Sequence, residues 1–420
     1  MNAPQEATDD SWHGSPTPIS RRGPGNSLRA KYCNSVLALA FGLLLDQAPA
    51  ASDPSQNEPP VRESLSWATS LQHLGRLHRD DDHPWFQEFW ILGRYHGQFH
   101  WAEGSAGDSD GWESRRFRMG AQARLFRHLT LHAQMVAGTD FDPFYNGFTE
   151  LWAQWAFAGS LALTVGPQKH RFTHDRTVSS RYINTIERTL LVNLFNAEYS
   201  PAVTLSGTHG RLGYYTGLFS NTTGPDIGEA LTHFTGGASF LASVNYDLGS
   251  VLDFDTAHLN VGLLLSDAND HATVLNRFPR GLSSALIVTR GPLSLIAETV
   301  AGLGHEDGDA WALHLQPGWF MTRQFQWVAR YQAAFSNRDT GLRAQRRYER
   351  PAGLRTGDFY QAVYLGLNHY LAEHRFKLMT GVEYARLDGD SLWTALAAVR
   401  VFWGPHARGP FPAAQVLAPR

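Results

Sequence analysis

Thiols are all but missing from this 420-residue chain: a single cysteine, Cys33, rules out an internal disulfide and any zinc site built from thiolates. Lysine is nearly as scarce, occurring only at 31, 169 and 377, so 33 of the 36 basic residues are arginine. With 39 acidic residues the formal net charge is −3, which gives no general pull toward nucleic acid. No apolar run approaches the roughly 18 residues of a membrane-spanning helix. The patterns of catalysis are missing too. There is no Gly-x-Ser-x-Gly elbow, no glycine loop to cradle phosphate and no metalloprotease helix. His170 and His174 stand four apart with Asp175 adjacent, but in a loop and without the glutamate of a metalloprotease helix, so the spacing does not make a metal site; His96 and His100, on one face of the first strand, are expected to hydrogen-bond water in the lumen. No enzyme, cofactor or metal is expected.

What the chain does have is aromatic residues, 12% of the total, under a negative mean hydropathy of −0.31. Many aromatics without long apolar runs is what alternating strands produce. The stretch Leu392–Trp403 shows it best: Trp393, Ala395, Ala397, Val399, Val401 and Trp403 share one face, opposite Thr394, Leu396, Ala398 and Arg400. Large aromatics at both ends of an apolar row fit a lipid-facing strand with interfacial girdles. In hydrocarbon an open sheet edge leaves backbone groups without partners, so strands of this kind must close into a barrel.

The chain divides by texture into four parts. Residues 1–50 read as a targeting segment, with the apolar run Val36–Leu45 followed by Ala48-Pro49-Ala50, a small-x-small cleavage site. Its long n-region suggests translation from Leu28 through a non-AUG codon. Residues 51–84 form a polar extension with a short helix expected near 63–77 and a solvated acidic run, Asp80-Asp81-Asp82. Residues 85–403 carry the strands, and 404–420 form a Pro/Ala-rich tail. Within the strand region seven short turns are expected near 126–128, 158–160, 208–210, 248–254, 290–292, 322–324 and 371–374. Eight longer polar connections fall near 102–113, 138–147, 167–200, 220–233, 266–281, 302–309, 336–357 and 387–391. Together they join sixteen strands. The expected fold is therefore all-β: a closed antiparallel transmembrane β-barrel of about sixteen strands, with long external loops and short periplasmic turns.

Alternation also assigns faces. Arg94, Arg116, Arg118, Arg124, Arg330, Lys377 and Arg400 fall on the lumen side with Glu88, Glu150, Asp247, Glu298 and Glu383, because an arginine on the lipid side at mid-membrane costs about 2–4 kcal/mol. The longest connection, 167–200, holds Lys169, His170, Arg171, Arg176, Arg181 and Arg188 against Asp175, Glu187 and Glu198. Its arginines either face solutes or pair with its own carboxylates. Arg338, Arg343, Arg346, Arg347, Arg350 and Arg355 make the connection 336–357 basic, either as a funnel for anions or, the reading favoured slightly, as a contact for lipopolysaccharide phosphates.

Five passages carry a family likeness: PWFQEFWILGRYHGQFHW at 84–101, ESRRFRMGAQARLF at 113–126, SSRYINTIERT at 179–189, WVARYQAAFS at 327–336 and YLGLNHYLAEHRFKLMTGVEYARL at 364–387. In their order and spacing they resemble the phosphate-selective porin O and P family of Gram-negative outer membranes, in a divergent branch with an N-terminal extension. The resemblance implies a sixteen-stranded barrel, commonly a homotrimer, whose third external loop folds into the lumen and whose basic side chains select anions. It implies an outer-membrane location, contact with lipid and lipopolysaccharide, insertion by the barrel-assembly machinery, and small anionic or hydrophilic solutes such as phosphate. The chain departs from the family in its seventeen residues after Trp403 and in lacking a lysine-rich pore mouth. Together, residues and resemblance point to passive diffusion through a bore narrowed by 167–200. Arg94, Arg116, Arg118, Lys169, Arg171, Arg176, Arg181, Arg188 and Arg330 are the constriction candidates. A general or carbohydrate-type porin, an outer-membrane barrel hydrolase and an exported soluble β-sandwich or lectin are the alternatives.

Overall fold

The computed structural model describes residues 66–157, 160–232 and 234–405. The targeting segment with Cys33, the start of the extension and nearly all of the tail lie outside the described residues.

Sixteen antiparallel strands make one closed sheet. In chain order they are β1 (Phe86–Gly104), β2 (Asp108–Leu125), β3 (Leu129–Val136), β4 (Phe148–Ala156), β5 (Ala162–Lys169), β6 (Tyr199–His209), β7 (Leu212–Ser220) and β8 (Gly237–Asp247). The second half comprises β9 (Thr256–Ala268), β10 (Arg280–Arg290), β11 (Leu293–Leu303), β12 (Ala310–Phe320), β13 (Phe325–Ser336), β14 (Phe359–Ala372), β15 (Phe376–Leu387) and β16 (Asp390–Trp403). Each strand pairs with its sequence neighbour, and β16 closes on β1 from Leu392 opposite Gly104 to Trp403 opposite Gly93. Closure removes every lateral edge along the span, as the low dielectric of lipid requires.

The alternation read from β16 holds in space. Trp393 is 56% exposed on the outer face, while Arg400 is 2% exposed on the inner one. Val203, Leu218, Val363, Leu365 and Val382 likewise face outward. Trp155, Trp319 and Trp327 lie toward the short-turn end of that outer surface, and Trp101, Trp112 and Trp393 toward the other. These are the two girdles that amphipathic rings form at membrane interfaces.

Each of the seven expected short turns coincides, within two residues, with a junction of consecutive strands, residues 158–159 of one of them lying outside the described residues. Two of the eight long connections do not exist as such. The stretch 102–113 is almost wholly strand, because β1 and β2 continue to Gly104 and from Asp108, and 387–391 is a tight hairpin with Asp388 at φ 52°. Polar residues suggested loop in both places. Beyond the membrane a sheet faces water on its outer side, so polar residues such as Glu103 and Asp110 are compatible with continued pairing.

The expected helix spans only Ser66–His73, and the chain then forms a short strand, Arg76–Arg79. That strand pairs with Glu88–Trp90 of β1, just beyond the point where β16 ends at Gly93. The N-terminal segment thus supplies the pairing that the last strand lacks. Gly75 makes the approach, with φ +86° and no room for a Cβ against the Ile91 carbonyl. Gly75→Val is expected to detach this strand at a cost of about 1–3 kcal/mol, and hydrogen exchange at Glu88–Trp90 would reveal the opened edge. Nor is the acidic run merely solvated: Asp81 pairs with Arg79 at 3.0 Å and also with Arg124.

The inner face departs from a simple charged bore. Leu190, Leu191, Leu194 and Phe195 of the long connection bury against Tyr215, Phe219, Leu241, Leu264 and Phe278, forming an apolar core inside the barrel. Residues such as Leu241 and Leu264 are intelligible on a lumen face only because a folded loop covers them.

Candidate functional site

The long connection between β5 and β6, residues 170–198, lies within the barrel. Thr173 starts a short helical turn, His174–Thr177, by accepting a hydrogen bond from the Arg176 backbone N–H at 3.1 Å. The Glu298 carboxylate on β11 accepts from the backbone N–H groups of His174 and Asp175 at 2.6 and 3.1 Å. Gln332 on β13 accepts from the Leu190 N–H at 2.9 Å. Buried loop backbone must find partners, and strands β13 to β16 provide donors. Lys377 bonds the Ile183 carbonyl at 2.6 Å, Asn368 that of Asn184 at 2.8 Å, Arg330 that of Glu187 at 2.7 Å, and Arg400 that of Ile186.

Several candidates therefore hold the loop. Arg330 also bonds Thr185 Oγ1 at 3.0 Å and pairs with Glu383 at 2.9 Å, both partners being almost fully buried. Lys169 Nζ donates to the Val178 carbonyl at 2.9 Å, Arg171 lies over the Tyr215 ring, and Arg181 donates to the Pro405 carbonyl at 3.0 Å beside Phe402. Arg94 donates to Ser180 Oγ at 2.9 Å and to Gln134 Oε1 at 3.1 Å. The two loop histidines are hydrogen-bonded to side chains of the wall, His170 to Ser200 Oγ at 2.7 Å and His174 to Asn260 at 3.1 Å.

The other four candidates meet at a cavity of about 610 Å³ between this loop and the long-loop end of the barrel. Arg116 and Arg118 reach it from β2, and Arg176 and Arg188 from the loop. Arg118 donates to the Tyr199 hydroxyl at 2.8 Å, Arg176 pairs with Glu198 at 3.0 Å and Arg188 with Asp175 at 3.1 Å. Self-pairing and cavity lining thus coexist. Six further arginines complete the wall: Arg115, Arg277, Arg343, Arg346, Arg347 and Arg350. Four of them come from the connection 337–358, so that loop turns inward, against the reading that favoured lipopolysaccharide contact. Arg115 escaped strand alternation because a bulge sits there: His96 opposes Arg116, Gly97 opposes Ser114, and the extra residue between them bonds Glu187 at 2.9 Å. Arg277 gave no signal beyond being one basic residue in a polar connection.

Ten guanidiniums consequently face two lining carboxylates, Glu187 and Glu198. Burial by itself would raise the Glu187 carboxyl, but Arg115 and Arg116 and hydrogen bonds from Arg115 and Gln98 outweigh it and hold it well below the usual carboxylate range. Glu198 is lowered in the same sense: its side chain is 59% exposed, and Arg176 outweighs what desolvation it meets. Both acids are therefore ionised at neutral pH, and the excess of positive charge stands. Other cavity arginines are neutralised from behind, Arg347 by Glu113 at 2.6 Å and Arg343 by Asp307 at 3.5 Å. Among the described residues Arg116 makes no salt bridge, though it feels the charge of Glu187, and its Nη1 has no protein acceptor. Such a donor set, planar and permanently charged, suits oxyanions.

Comparison with known proteins agrees with this architecture. No curated protein matches the chain in sequence. Among solved structures, OprB of Pseudomonas putida at high pH superposes with a TM-score of 0.58 at 12% identity, over 75% of this chain and 94% of that one. OmpF of Salmonella typhi, in complex with daunomycin, gives 0.53 at 9% identity over 75% and 97%. OmpT of Vibrio cholerae, expressed in the outer membrane, gives 0.51 at 12% over 78% and 100%. Likeness at this identity speaks for the fold alone. The chain is a closed sixteen-stranded barrel of the outer-membrane porin type, and its residues 90–247 match the family model of phosphate-selective porin O and P, the family its sequence resembles.

Proposed function

We propose that this protein is a porin of the Gram-negative outer membrane that passes small hydrophilic anions, phosphate among them, by diffusion. The observation that carries the reading is the cavity above loop 170–198, where ten arginines outnumber the lining carboxylates five to one. Rings of basic side chains concentrate anions and exclude cations at a constriction. Arg94 and Arg400, deeper in the barrel, agree in sign. Phosphate as the solute, the homotrimer and the constriction role of loop 170–198 follow the family resemblance.

Zero-current potential in planar bilayers under a potassium chloride gradient tests the proposal. Anion preference is expected, growing as salt is lowered because screening acts over about 8–10 Å at ordinary ionic strength. A cation-selective or unselective channel overturns it and leaves a general porin. Chloride currents reduced by millimolar phosphate would add the solute.

A further inference from the structure

The cavity above loop 170–198 is larger and chemically more mixed than an inorganic anion requires. At about 610 Å³ it has room for about twenty water molecules, which places it within the size range of sites for small organic ligands. Its walls are fixed from several sides. Arg347 is tied to Glu113 at 2.6 Å, Arg277 donates to the Gly341 carbonyl, and Tyr348 of loop 337–358 donates to Glu383 on β15 at 2.7 Å. The arginines are therefore held in place before a solute arrives. Five of the ten pair with carboxylates. The other five make no salt bridge among the described residues: Arg116 and Arg118 on β2, Arg277 between β9 and β10, and Arg346 and Arg350 on loop 337–358. They come from three separate segments around one space, an arrangement that rewards a ligand carrying more than one anionic group.

The same wall offers acceptors. Arg176 takes only Oε2 of Glu198, at 3.0 Å, and the Glu198 side chain is 59% exposed. Asn146 and Asn193 are exposed beside it on the cavity lining, with amides that both donate and accept. Val136 and Val192 add apolar surface. A carboxylate without hydroxyl neighbours is repelled by Glu198, whereas a hydroxyl donates to it. Guanidinium forks, amides and a free carboxylate oxygen together match carboxylates and hydroxyls carried on one frame.

We propose that this cavity is a binding site for sugar acids, uronates and their short oligomers, with ligand carboxylates on the arginines that lack a salt bridge and ligand hydroxyls on Glu198, Asn146 and Asn193. The proposal rests on the porin reading and names the solute class that is bound on the way through.

Block of single-channel chloride current at neutral pH tests it, with digalacturonate compared against adipate, a dicarboxylate without hydroxyls, against inorganic phosphate, and against uncharged cellobiose. Digalacturonate is expected to half-block at a concentration at least about tenfold below that of adipate or phosphate, and cellobiose not to block. Glu198→Ala removes a negative charge that both dianions feel alike but a hydroxyl acceptor that only one of them uses. It is expected to cut the preference for digalacturonate over adipate by at least about fivefold. Heat-modifiable mobility checks that the variant barrel is folded. Arg116→Gln is expected to weaken both dianions together. Equal block by digalacturonate and adipate, tighter block by phosphate, or an unchanged preference in folded Glu198→Ala each overturns the site. Calorimetry on the detergent-solubilised full chain with the same probes separates this from the porin reading. A cation-selective channel whose protein still binds digalacturonate, with the preference lost in Glu198→Ala, would overturn the anion reading while upholding the site.

Discussion

Replacing Arg116 and Arg118 together with glutamate is expected to lower the anion-to-cation permeability ratio by roughly five- to tenfold at 0.15 M salt and by roughly fiftyfold at 0.01 M. At about 10 Å in water each unit charge contributes about 0.4 kcal/mol. The double change moves four units, and it acts in opposite directions on anions and cations, so the ratio shifts by about 3 kcal/mol before screening. Screening at 0.15 M leaves about 1 kcal/mol, and at 0.01 M most of the effect survives. Both side chains line the cavity, so on the proposed porin function the change acts where solutes pass. Arg171→Gln serves as the contrast, because Arg171 lies over Tyr215 and does not line that cavity; it is expected to change the ratio less than twofold. Zero-current potentials at the two salt concentrations decide it. A ratio unmoved in the double variant would mean that ions bypass the cavity.

Arg330→Ala is expected to free loop 170–198 while leaving the barrel closed. Arg330 is the junction of three attachments: the Glu187 carbonyl, Thr185 Oγ1 and the Glu383 carboxylate. Removing one partner of a buried ion pair leaves the other charged and unsolvated, at a cost of about 3–5 kcal/mol. The barrel strands keep their backbone ladders, so the loss falls on what Arg330 and Glu383 hold, namely loop 170–198 and, through Tyr348, loop 337–358. Single-channel conductance is expected to rise at least twofold with increased open-channel noise, while heat-modifiable electrophoretic mobility stays that of a folded barrel. Arg330→Lys keeps the charge but cannot reach three acceptors with one ammonium, so it is expected to fall between the two. Conductance equal to wild type in Arg330→Ala would show that the loop is held without this junction.

The first expectation keeps Arg116 and Arg118 where the sequence placed them, facing the pore; the second does not. Arg330, Lys169 and Arg181 were grouped with the pore lining because charge and strand face are visible in one dimension, whereas the acceptor each one finds is not. Arg330 reaches a carbonyl 143 residues away in sequence. Arg115 was invisible for the opposite reason: a single extra residue in β2 turns an outward position inward, and nothing in the composition marks a bulge. The connection 337–358 was seen to be basic, yet whether it rises toward lipopolysaccharide or dips into the bore depends on Tyr348, Leu342 and Leu354 finding an apolar partner surface, which is assembled from strands far apart in the chain.

Sequence by itself determined the barrel. Period-two alternation settles which face of each strand meets lipid, recurrent turns settle the strand count near sixteen, and the absence of water in a bilayer demands closure, so local pattern and solvent suffice. Only the tertiary structure decided how the bore is filled. Loop 170–198 and loop 337–358 fold inward through contacts with wall residues that neither local spacing nor charge can pair, and those contacts divide the arginines between holding the loops and facing the cavity.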